Sequence, residues 1–384
     1  MSPTRTIERR LPAASFRPDI RAALPGWLAA RLIVVAALAL AQLVELFHTG
    51  SRTSWQRFAA RGLLGWDADW YQRIAAHGYG DLPTESVRFF PLFPVIGRVL
   101  GAGTWVGIGV VLLVVANVGA LVAGALVHRL TLVSGGDPAT AQRAATCFAL
   151  APPAFVAVMG YSESLAITLS LVFVIALLAR RSRTAVVAGF LAGLARPSGI
   201  VLVVPALAVW VAEERRARWR LPVRTRARRA AVAAAPIAGT AVFLVWCQLV
   251  MGRWSLPYDL QAVPGLRGRT VDPLLTIGDA VVAVARVHFP ASGHEITVIV
   301  AVALLAVGAR RWPAAVSAWG AATVLVALTA ERLGSLERYV WGSVVPVMTL
   351  AALGGRRFQR VLPVTLATGL AVLSVLALSG HYVP

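Results

Sequence analysis

The chain has 384 residues, of which 58% are hydrophobic and only 14% are charged, and its mean hydropathy is +0.72. A typical soluble domain is about a quarter charged, so this composition excludes a chain of soluble domains. Several apolar stretches exceed the length of a soluble core helix, which predicts an all-α polytopic membrane protein. The net charge of +20 comes from arginine alone, since the 37 basic residues include no lysine. These arginines cluster between apolar stretches, as orientation signals do, and we expect no nucleic acid partner.

Apolar segments of membrane-spanning character recur along the chain, and no linker divides them, so we predict a single transmembrane domain over residues 1–384. Two cysteines lie within these segments, which argues against a disulfide framework: Cys147 and Cys247. About eleven spans are predicted, at residues 27–47, 105–127, 144–160, 165–179, 184–195, 199–212, 230–250, 295–309, 313–330, 340–354 and 361–378.

The arginine clusters predict the orientation of these spans. Segments assigned to the cytoplasmic side, beginning with the N-terminal residues 1–26, hold 23 arginines, and those assigned outside hold 13. The positive-inside rule favours this arrangement. It leaves two long extracytoplasmic loops, at residues 48–104 and 251–294. The first span is too long for a signal-peptide core, and exclusive use of arginine is typical of a GC-rich bacterial genome, so we expect a multi-pass protein of the bacterial plasma membrane.

The first outer loop contains a short helical pattern that begins at an aspartate. Asp67 stands at the start, Trp70 and Ile74 share a face, and Gly78 is predicted to end the helix. A helix N-cap is one interpretation of Asp67. A cap does not explain the neighbouring Trp66 and Trp70, however. Aromatic walls lower the dielectric around a carboxylate, which favours a general base.

Other polar residues of this helix have simpler interpretations. Asp69 and Arg73 are four residues apart, which predicts a weak, exposed ion pair. The Asp-x-Asp spelling also fits metal coordination, but Mg²⁺ sites usually include substrate phosphates, so two loop carboxylates are weak evidence. His77 ends the helix, and together with His288 and His294 it shows no metal-ligand spacing. We expect neither a metal nor a cofactor.

Two further outer segments carry candidate residues. The run Phe89–Pro94 contains two prolines, which predicts an irregular wall or an interfacial aromatic belt rather than a helix. Arg88, directly before it, is placed to face a phosphate or lipid headgroups. In the outer turn Tyr161–Ser164, Ser162 and Glu163 fit the start of a helix. Glu163 is also a candidate ligand for an acceptor.

Residues 184–212 are long enough for one span, but the arginine clusters at their two ends would then face opposite sides. Two short helices with a break at Arg196-Pro197 avoid this and place the break at membrane depth. Irregular backbone at that depth lines a cavity or is buried in protein, and an arginine there is a functional candidate.

Arg338 and Tyr339 follow in a later outer turn. Arg338 suits a lipid phosphate, with pairing to Glu337 as the alternative.

Taken in order, these segments resemble the PIG-V family, the second mannosyltransferases of GPI-anchor assembly and their actinobacterial relatives. The resemblance implies a GT-C glycosyltransferase fold, with a large first extracytoplasmic loop that carries short amphipathic helices. The residues that carry the resemblance are Trp66-Asp67, Trp70-Tyr71, Ile74-Ala75, Gly78-Tyr79, Phe89–Pro94, Tyr161–Ser164, Arg196–Gly199 and Arg338-Tyr339.

The resemblance implies an inverting transfer of mannose from a polyprenyl-phosphate-mannose donor to a hydroxyl of a lipid or glycan acceptor. The reaction takes place at the outer face and gives an α-mannoside. Asp67 matches the acidic residue of the family's first loop, which makes it the implied general base; many members have a small or neutral residue at the position of Asp69. The acceptor and the need for a further membrane subunit are left open. Candidate substrate-binding residues are Arg338, Arg196, Tyr339, Arg88, Glu163, Trp66, Trp70, Asp69 and His77.

A transporter or flippase of a polyprenyl-linked sugar or glycolipid is the main alternative. The broken helix and the intramembrane Arg196 suit a translocation path. The lack of internal repeats and of acidic residues in the middle of the spans argues against it. A non-catalytic envelope scaffold would explain the large outer loops but not their acidic and aromatic composition.

Overall fold

A computed structural model describes residues 15–50, 54, 58, 61–104, 107–286, 293–381 and 383. Within these residues the secondary structure is helical apart from one isolated bridge between Thr270 and Ala330, which confirms the predicted all-α class. His288, named above, lies outside the described residues.

The helices are named in chain order. The first six are α1 (Arg17–Thr49), α2 (Asp67–His77), α3 (Leu92–Gly101), α4 (Ile108–Val133), α5 (Pro138–Leu150) and α6 (Glu163–Leu178). The next five are α7 (Ser182–Ala195), α8 (Val203–Arg216), α9 (Val223–Met251), α10 (Leu256–Asp259) and α11 (Pro273–Ala285). The last five are α12 (His294–Arg311), α13 (Ala314–Leu328), α14 (Leu336–Gly342), α15 (Val345–Ala352) and α16 (Arg356–Leu378). Three short 3₁₀ helices lie at Thr84–Arg88, Pro152–Ala157 and Pro197–Leu202.

Five of the described helices are long and apolar enough to cross a membrane by length and composition, which agrees with a multi-pass membrane protein. They are Arg17–His48, Ile108–Val133, Pro197–Arg216, Val223–Met251 and Arg356–Leu378. Other predicted spans correspond to shorter helices. The segment 144–160 is interrupted after Leu150 because Pro152 follows in a 3₁₀ helix, and 340–354 is divided at Val344, whose φ of 61° is unusual for a β-branched residue.

The described helices form two compact units. The N-terminal unit comprises the described parts of residues 14–131, 137–168 and 351–384, and within it α1 packs against α5 and α16. The central unit comprises residues 132–136 and the described parts of 169–350, and within it α7 packs against α9.

A buried carboxylate joins two helices of the N-terminal unit. Asp19 in α1 is only 4% exposed and accepts hydrogen bonds from Arg129 Nε and Nη2 at 2.9 and 2.6 Å. His128 Nδ1 lies 2.7 Å from the other carboxylate oxygen. Arg129 was assigned to a cytoplasmic loop from the sequence, but α4 continues to Val133 and includes it. Its charge is compensated within the fold, as a partly buried guanidinium requires.

The backbone that leads to the Tyr161–Ser164 turn is held by two polar side chains from neighbouring helices. Arg31 Nη2 in α1 donates to Ala157 O at 3.0 Å, and its Nε donates to Asn117 Oδ1 at 3.0 Å. Asn117 Nδ2 in turn donates to Val158 O at 3.0 Å. The 3₁₀ segment leaves these carbonyls without helical partners, so the two side chains satisfy acceptors that would be costly to bury alone.

Glycines bring α7 and α9 into close contact in the central unit. A Cβ at Gly193 would lie 2.3 Å from Pro236 O, and one at Gly239 would lie 2.0 Å from Phe190 O. Small residues of this kind let helix backbones approach closely in membrane proteins. The crossing therefore depends on glycine at both positions.

The predicted break between α7 and α8 is confirmed. α7 ends at Ala195, Arg196 is extended with φ −156° and ψ 152°, and a 3₁₀ helix begins at Pro197. A residue before proline is disfavoured in the helical region, which explains the extended Arg196. The chain then passes close to the end of α7, since a Cβ at Gly199 would lie 2.1 Å from Ala192 O.

Candidate active site

Asp67 is the first residue of α2 and follows a sharply turned segment. A Cβ at Gly65 would lie 2.3 Å from Arg61 O, which requires glycine there. Trp66 has φ 55° and ψ −127°, a conformation that costs a bulky L-residue on the order of 1–3 kcal/mol. Trp66 occupies the N-cap position and makes no side-chain cap. The N-cap interpretation of Asp67 is therefore wrong, because the helix already includes it.

The Tyr161–Ser164 turn lies against this start of α2. The Asp67 backbone N–H donates to the Tyr161 hydroxyl at 3.4 Å, although the two residues are 94 positions apart. One turn further along α2, the hydroxyls of Tyr71 and Ser162 lie 2.6 Å apart. Glu163, the first residue of α6, is 4% exposed. The structure thus joins two of the candidate segments.

A buried aromatic wall supports the other face of α2. Phe89 stacks on Trp70 with ring centroids 5.7 Å apart, and its edge contacts Tyr71 at 5.2 Å. Phe93 also packs edge-on against Tyr71, at 5.0 Å, and is fully buried. The Tyr79 hydroxyl donates to Phe89 O at 2.6 Å. These contacts fix α2 in place, so the start of the helix is rigid.

The prediction that prolines bar a helix from the Phe89–Pro94 run is wrong. α3 begins at Leu92 and includes Pro94 in its first turn. Proline is tolerated there because the backbone N–H groups of the first turn have no helical acceptor. All three phenylalanines of this run are buried, and Phe89 and Phe93 pack against α2, so they do not form an interfacial belt.

Arg88 is an electrostatic neighbour of Asp67. Its guanidinium lies 5.4 Å from the Phe89 ring centroid, and Nε donates to Glu85 O at 3.1 Å. Burial lowers the pKa of Arg88, and the charges of Asp67 and Glu85 oppose that shift. A cation close to the candidate base can hold an anionic group of a substrate.

The remaining candidates on α2 are exposed. Asp69 pairs with Arg73 at 3.8 Å, which confirms the predicted surface ion pair. Trp66 is 43% exposed, with its indole N–H directed to Ala377 O at 3.2 Å. His77 is exposed at the far end of α2, about 15 Å along the helix from Asp67 at 1.5 Å per residue. An open cleft of about 570 Å³ lies beside the helix, lined by Arg61, Leu64, Gly65, Trp66, Asp69 and Gln72.

The other candidates belong to the central unit. Arg338 lies in α14, where its guanidinium donates to Ser335 Oγ at 2.8 Å. The adjacent Glu337 is bound by His294 Nδ1 at 2.8 Å, and this hydrogen bond raises the pKa of His294 against the opposing effect of burial. This contact could not be predicted from the sequence because it joins residues 43 positions apart.

Tyr339 and the segment after Arg196 meet at one cavity of the central unit. Its volume is about 240 Å³, and its lining includes Tyr339 together with Pro197 and Ser198 from the helix break. Sequence reasoning missed its other polar lining residues, which come mainly from the segment 251–294: Tyr258, Gln261, Arg267, Arg269, Thr270 and Thr329.

The fold and these residues define a helical membrane protein in which a carboxylate sits on a rigid helix start, beside tyrosines and an arginine. The sequence profile of the family described as Mannosyltransferase (PIG-V) matches residues 34–237, just over half of the chain. The chain belongs to the PIG-V mannosyltransferase family, which confirms the resemblance and the class of membrane glycosyltransferase that it implies.

Two solved structures of archaeal proteins are similar to the chain at 14% identity. One is the oligosaccharyltransferase AglB from Archaeoglobus fulgidus in complex with an inhibitory peptide and a dolichol-phosphate, with a TM-score of 0.45 over 94% of this chain and 56% of that one. The other is the Archaeoglobus fulgidus oligosaccharyltransferase tethered to an acceptor peptide, with a TM-score of 0.43 over 91% and 55%. The chain thus spans little more than half the length of these relatives. No curated protein matches it in sequence.

Proposed function

We propose that this protein transfers mannose from polyprenyl-phosphate mannose to a hydroxyl of a lipid or glycan acceptor, with Asp67 as the general base. The observation that carries the proposal is the placement of Asp67. It stands at the strained start of α2, with Tyr161 on its backbone and Arg88 as its cationic neighbour. Strained backbone clusters at active sites, and the aromatic packing of α2 supports such a conformation.

The proposed reaction is a single displacement. Asp67 takes the proton of the acceptor hydroxyl as its oxygen forms a bond to the anomeric carbon of mannose. The bond from that carbon to the phosphate oxygen breaks, and the polyprenyl phosphate leaves with the bonding electron pair. Attack opposite the leaving group converts a β-linked donor into an α-mannoside.

The departing phosphate needs positive charge near it, which guanidinium groups supply through bidentate hydrogen bonds. Arg196 and Arg338 are the proposed phosphate ligands, with Tyr339 beside Arg338. Arg196 follows the end of α7, and the extended backbone before Pro197 fixes where its side chain begins. The leaving group is a lipid monophosphate, so the proposal invokes no metal.

The proposed reaction takes place at the outer face of a bacterial plasma membrane. The arginine distribution supports this orientation, with 23 arginines in the segments assigned to the cytoplasm and 13 in those assigned outside. Asp67, Glu163, Arg196 and Arg338 all fall in the segments assigned outside. A lipid-linked donor is available at that face without a nucleotide.

The test uses full-length protein in detergent with radiolabelled polyprenyl-phosphate mannose, a total lipid extract of the host and EDTA. Wild-type protein is expected to form a labelled glycolipid. The Asp67→Asn variant is expected to lose about 10²–10⁴-fold in turnover, the usual contribution of a positioned general base.

Asp81→Asn is the matched control, since Asp81 is an exposed aspartate just after the same helix and is not one of the candidate site residues. It should retain activity, and both variants should melt like the wild type. Normal turnover by a folded Asp67→Asn protein would overturn the assignment of the base. Uptake of the labelled donor into vesicles without a new product would favour the transporter instead.

A further inference from the structure

The cavity beside the helix break is built by one unit of the chain. Its floor comes from the 3₁₀ helix Pro197–Leu202, one wall from the second outer loop around Tyr258, and another from the end of α13. The volume of about 240 Å³ lies below the roughly 300–1,000 Å³ of pockets for drug-sized ligands. It suits one sugar ring or a small headgroup.

The outer loop that closes this cavity is anchored to the last turn of α13 and to the residues directly after it. Arg267 Nη2 donates to Val326 O at 2.7 Å and contacts Thr329 Oγ1 at 3.4 Å. The Arg269 N–H donates to the Glu331 carboxylate at 2.9 Å. Gly268 between them has φ +69°, and a Cβ there would lie 2.5 Å from that carboxylate. The loop is therefore held in one conformation and the cavity is preformed.

The charge of the lining is positive. None of the described lining residues is acidic, and two are arginines. Arg269 is paired with Glu331 at 3.4 Å, and its side chain is 87% exposed. Arg267 is half-buried and, within the described residues, bonds only to a carbonyl and a hydroxyl, so its charge has no acidic partner. An uncompensated guanidinium in a cavity favours an anion.

The rest of the lining suits a hydroxylated ligand. Ser198, Tyr258, Gln261 and Tyr339 present hydroxyl and amide groups, which both donate and accept hydrogen bonds. The Tyr258 hydroxyl makes no hydrogen bond to the described part of the chain. Apolar side chains such as Ile200 and Val326 also line the cavity. A lining that combines polar and apolar groups matches a sugar or polyol better than a lipid tail.

We propose that this cavity binds a phosphate ester of a sugar or polyol, with Arg267 on the phosphate and Tyr258 on a hydroxyl. This inference rests on the proposed function, because both substrates of such a transferase, the donor and the acceptor lipid, carry a phosphate ester. The ester is either the mannosyl phosphate of the donor, in which case Arg267 shares that phosphate with Arg196 and Arg338, or the phosphorylated headgroup of an acceptor lipid.

The test measures binding without turnover, by saturation-transfer NMR on the full-length protein in detergent. The probes are mannose 1-phosphate for the donor side, glycerol 1-phosphate for a lipid headgroup, and neutral mannose. At least one phosphate ester should bind more tightly than mannose. Arg267→Gln should weaken that binding by about tenfold to a hundredfold, the range for hydrogen bonds to charged groups. The preferred ester identifies the source of the ligand.

Arg267 also anchors the loop, so a second variant separates binding from folding. Tyr258→Phe keeps the ring and removes only the hydroxyl, and it should weaken binding severalfold without a change in melting temperature. Arg253→Gln is the matched control, since Arg253 lies in the same loop, pairs with Asp259 and does not line the cavity. Equal binding of mannose and its phosphate, or unchanged binding in both cavity variants, would overturn the proposal. Either result would leave the Asp67-dependent transfer untouched.

Discussion

The contact between α7 and α9 provides a sharp test of the structure, through the substitution Gly239→Ala. The added Cβ would lie 2.0 Å from Phe190 O and 2.8 Å from its carbonyl carbon. Real Cβ contacts essentially never fall below 3.0 Å, so the two backbones must separate by about 1 Å. Overpacking of this kind costs about 1–3 kcal/mol. The obstacle is a backbone carbonyl, which cannot rotate away as a side chain would.

The separation also carries a functional consequence. α7 ends at Ala195, directly before Arg196, so a shift of α7 displaces a proposed phosphate ligand. A misplacement of about 1 Å costs on the order of 10²-fold in rate when a reaction depends on orientation. Gly239→Ala is therefore expected to lower both the melting temperature in detergent and the turnover of polyprenyl-phosphate mannose.

Gly278→Ala is the matched control. Gly278 lies within α11, and an added Cβ would meet nothing within 4 Å. Alanine there should be neutral or should stabilise the protein by about 0.5–1 kcal/mol, because it favours the helix. If Gly239→Ala melted at or above the wild-type temperature and kept full turnover, the close crossing of α7 and α9 would be refuted.

Three further substitutions test individual contacts. Asp19→Asn removes the charge that compensates Arg129 and should cost up to about 3 kcal/mol in a denaturant titration in detergent; an unchanged midpoint would contradict the buried pair. Arg31→Met leaves buried carbonyls unsatisfied and should cost about 1–3 kcal/mol by the same assay, whereas a stabilised protein would count against it. The Glu337 hydrogen bond raises the pKa of His294 above the ordinary histidine value of 6.5. The pair therefore stabilises the folded state fully at pH values below 6.5, and this stabilisation is lost as the pH rises through the raised pKa. The melting-temperature difference between wild type and His294→Gln should shrink accordingly toward alkaline pH, and a difference that grew with pH would reverse the assigned sign.

Much of the local structure could be predicted because its causes are local. Apolar length predicted membrane helices, and the arginine clusters at the two ends of residues 184–212 predicted the break. The proline after Arg196 explains where the helix ends, since its steric restriction acts on the preceding residue. Gly78 was expected to end α2 and does so. The helix over Phe89–Pro94 was missed because proline at the start of a helix is harmless, and sequence spacing alone did not reveal that the helix starts at Leu92.

Only part of the candidate site could be predicted from the sequence, and the rest required the tertiary structure. Asp67 stood out in the sequence because an acidic residue between tryptophans is unusual in an outer loop. Its neighbours could not be placed, because the Tyr161 contact spans 94 positions and follows from how the Tyr161–Ser164 turn lies against α2. The cavity residues Tyr258 and Arg267 carried no motif at all. They became visible only when the second outer loop was seen anchored by the backbone around Val326.

By itself, the sequence determined the membrane class, the family, the broken helix and the candidate base, since hydropathy, proline geometry and ordered motifs are properties of short segments. Only the tertiary structure decided which carboxylate has a rigid place beside tyrosines and an arginine, and where a cationic cavity forms. These depend on contacts between distant segments, whose free energy comes from packing and hydrogen bonds that no local pattern encodes.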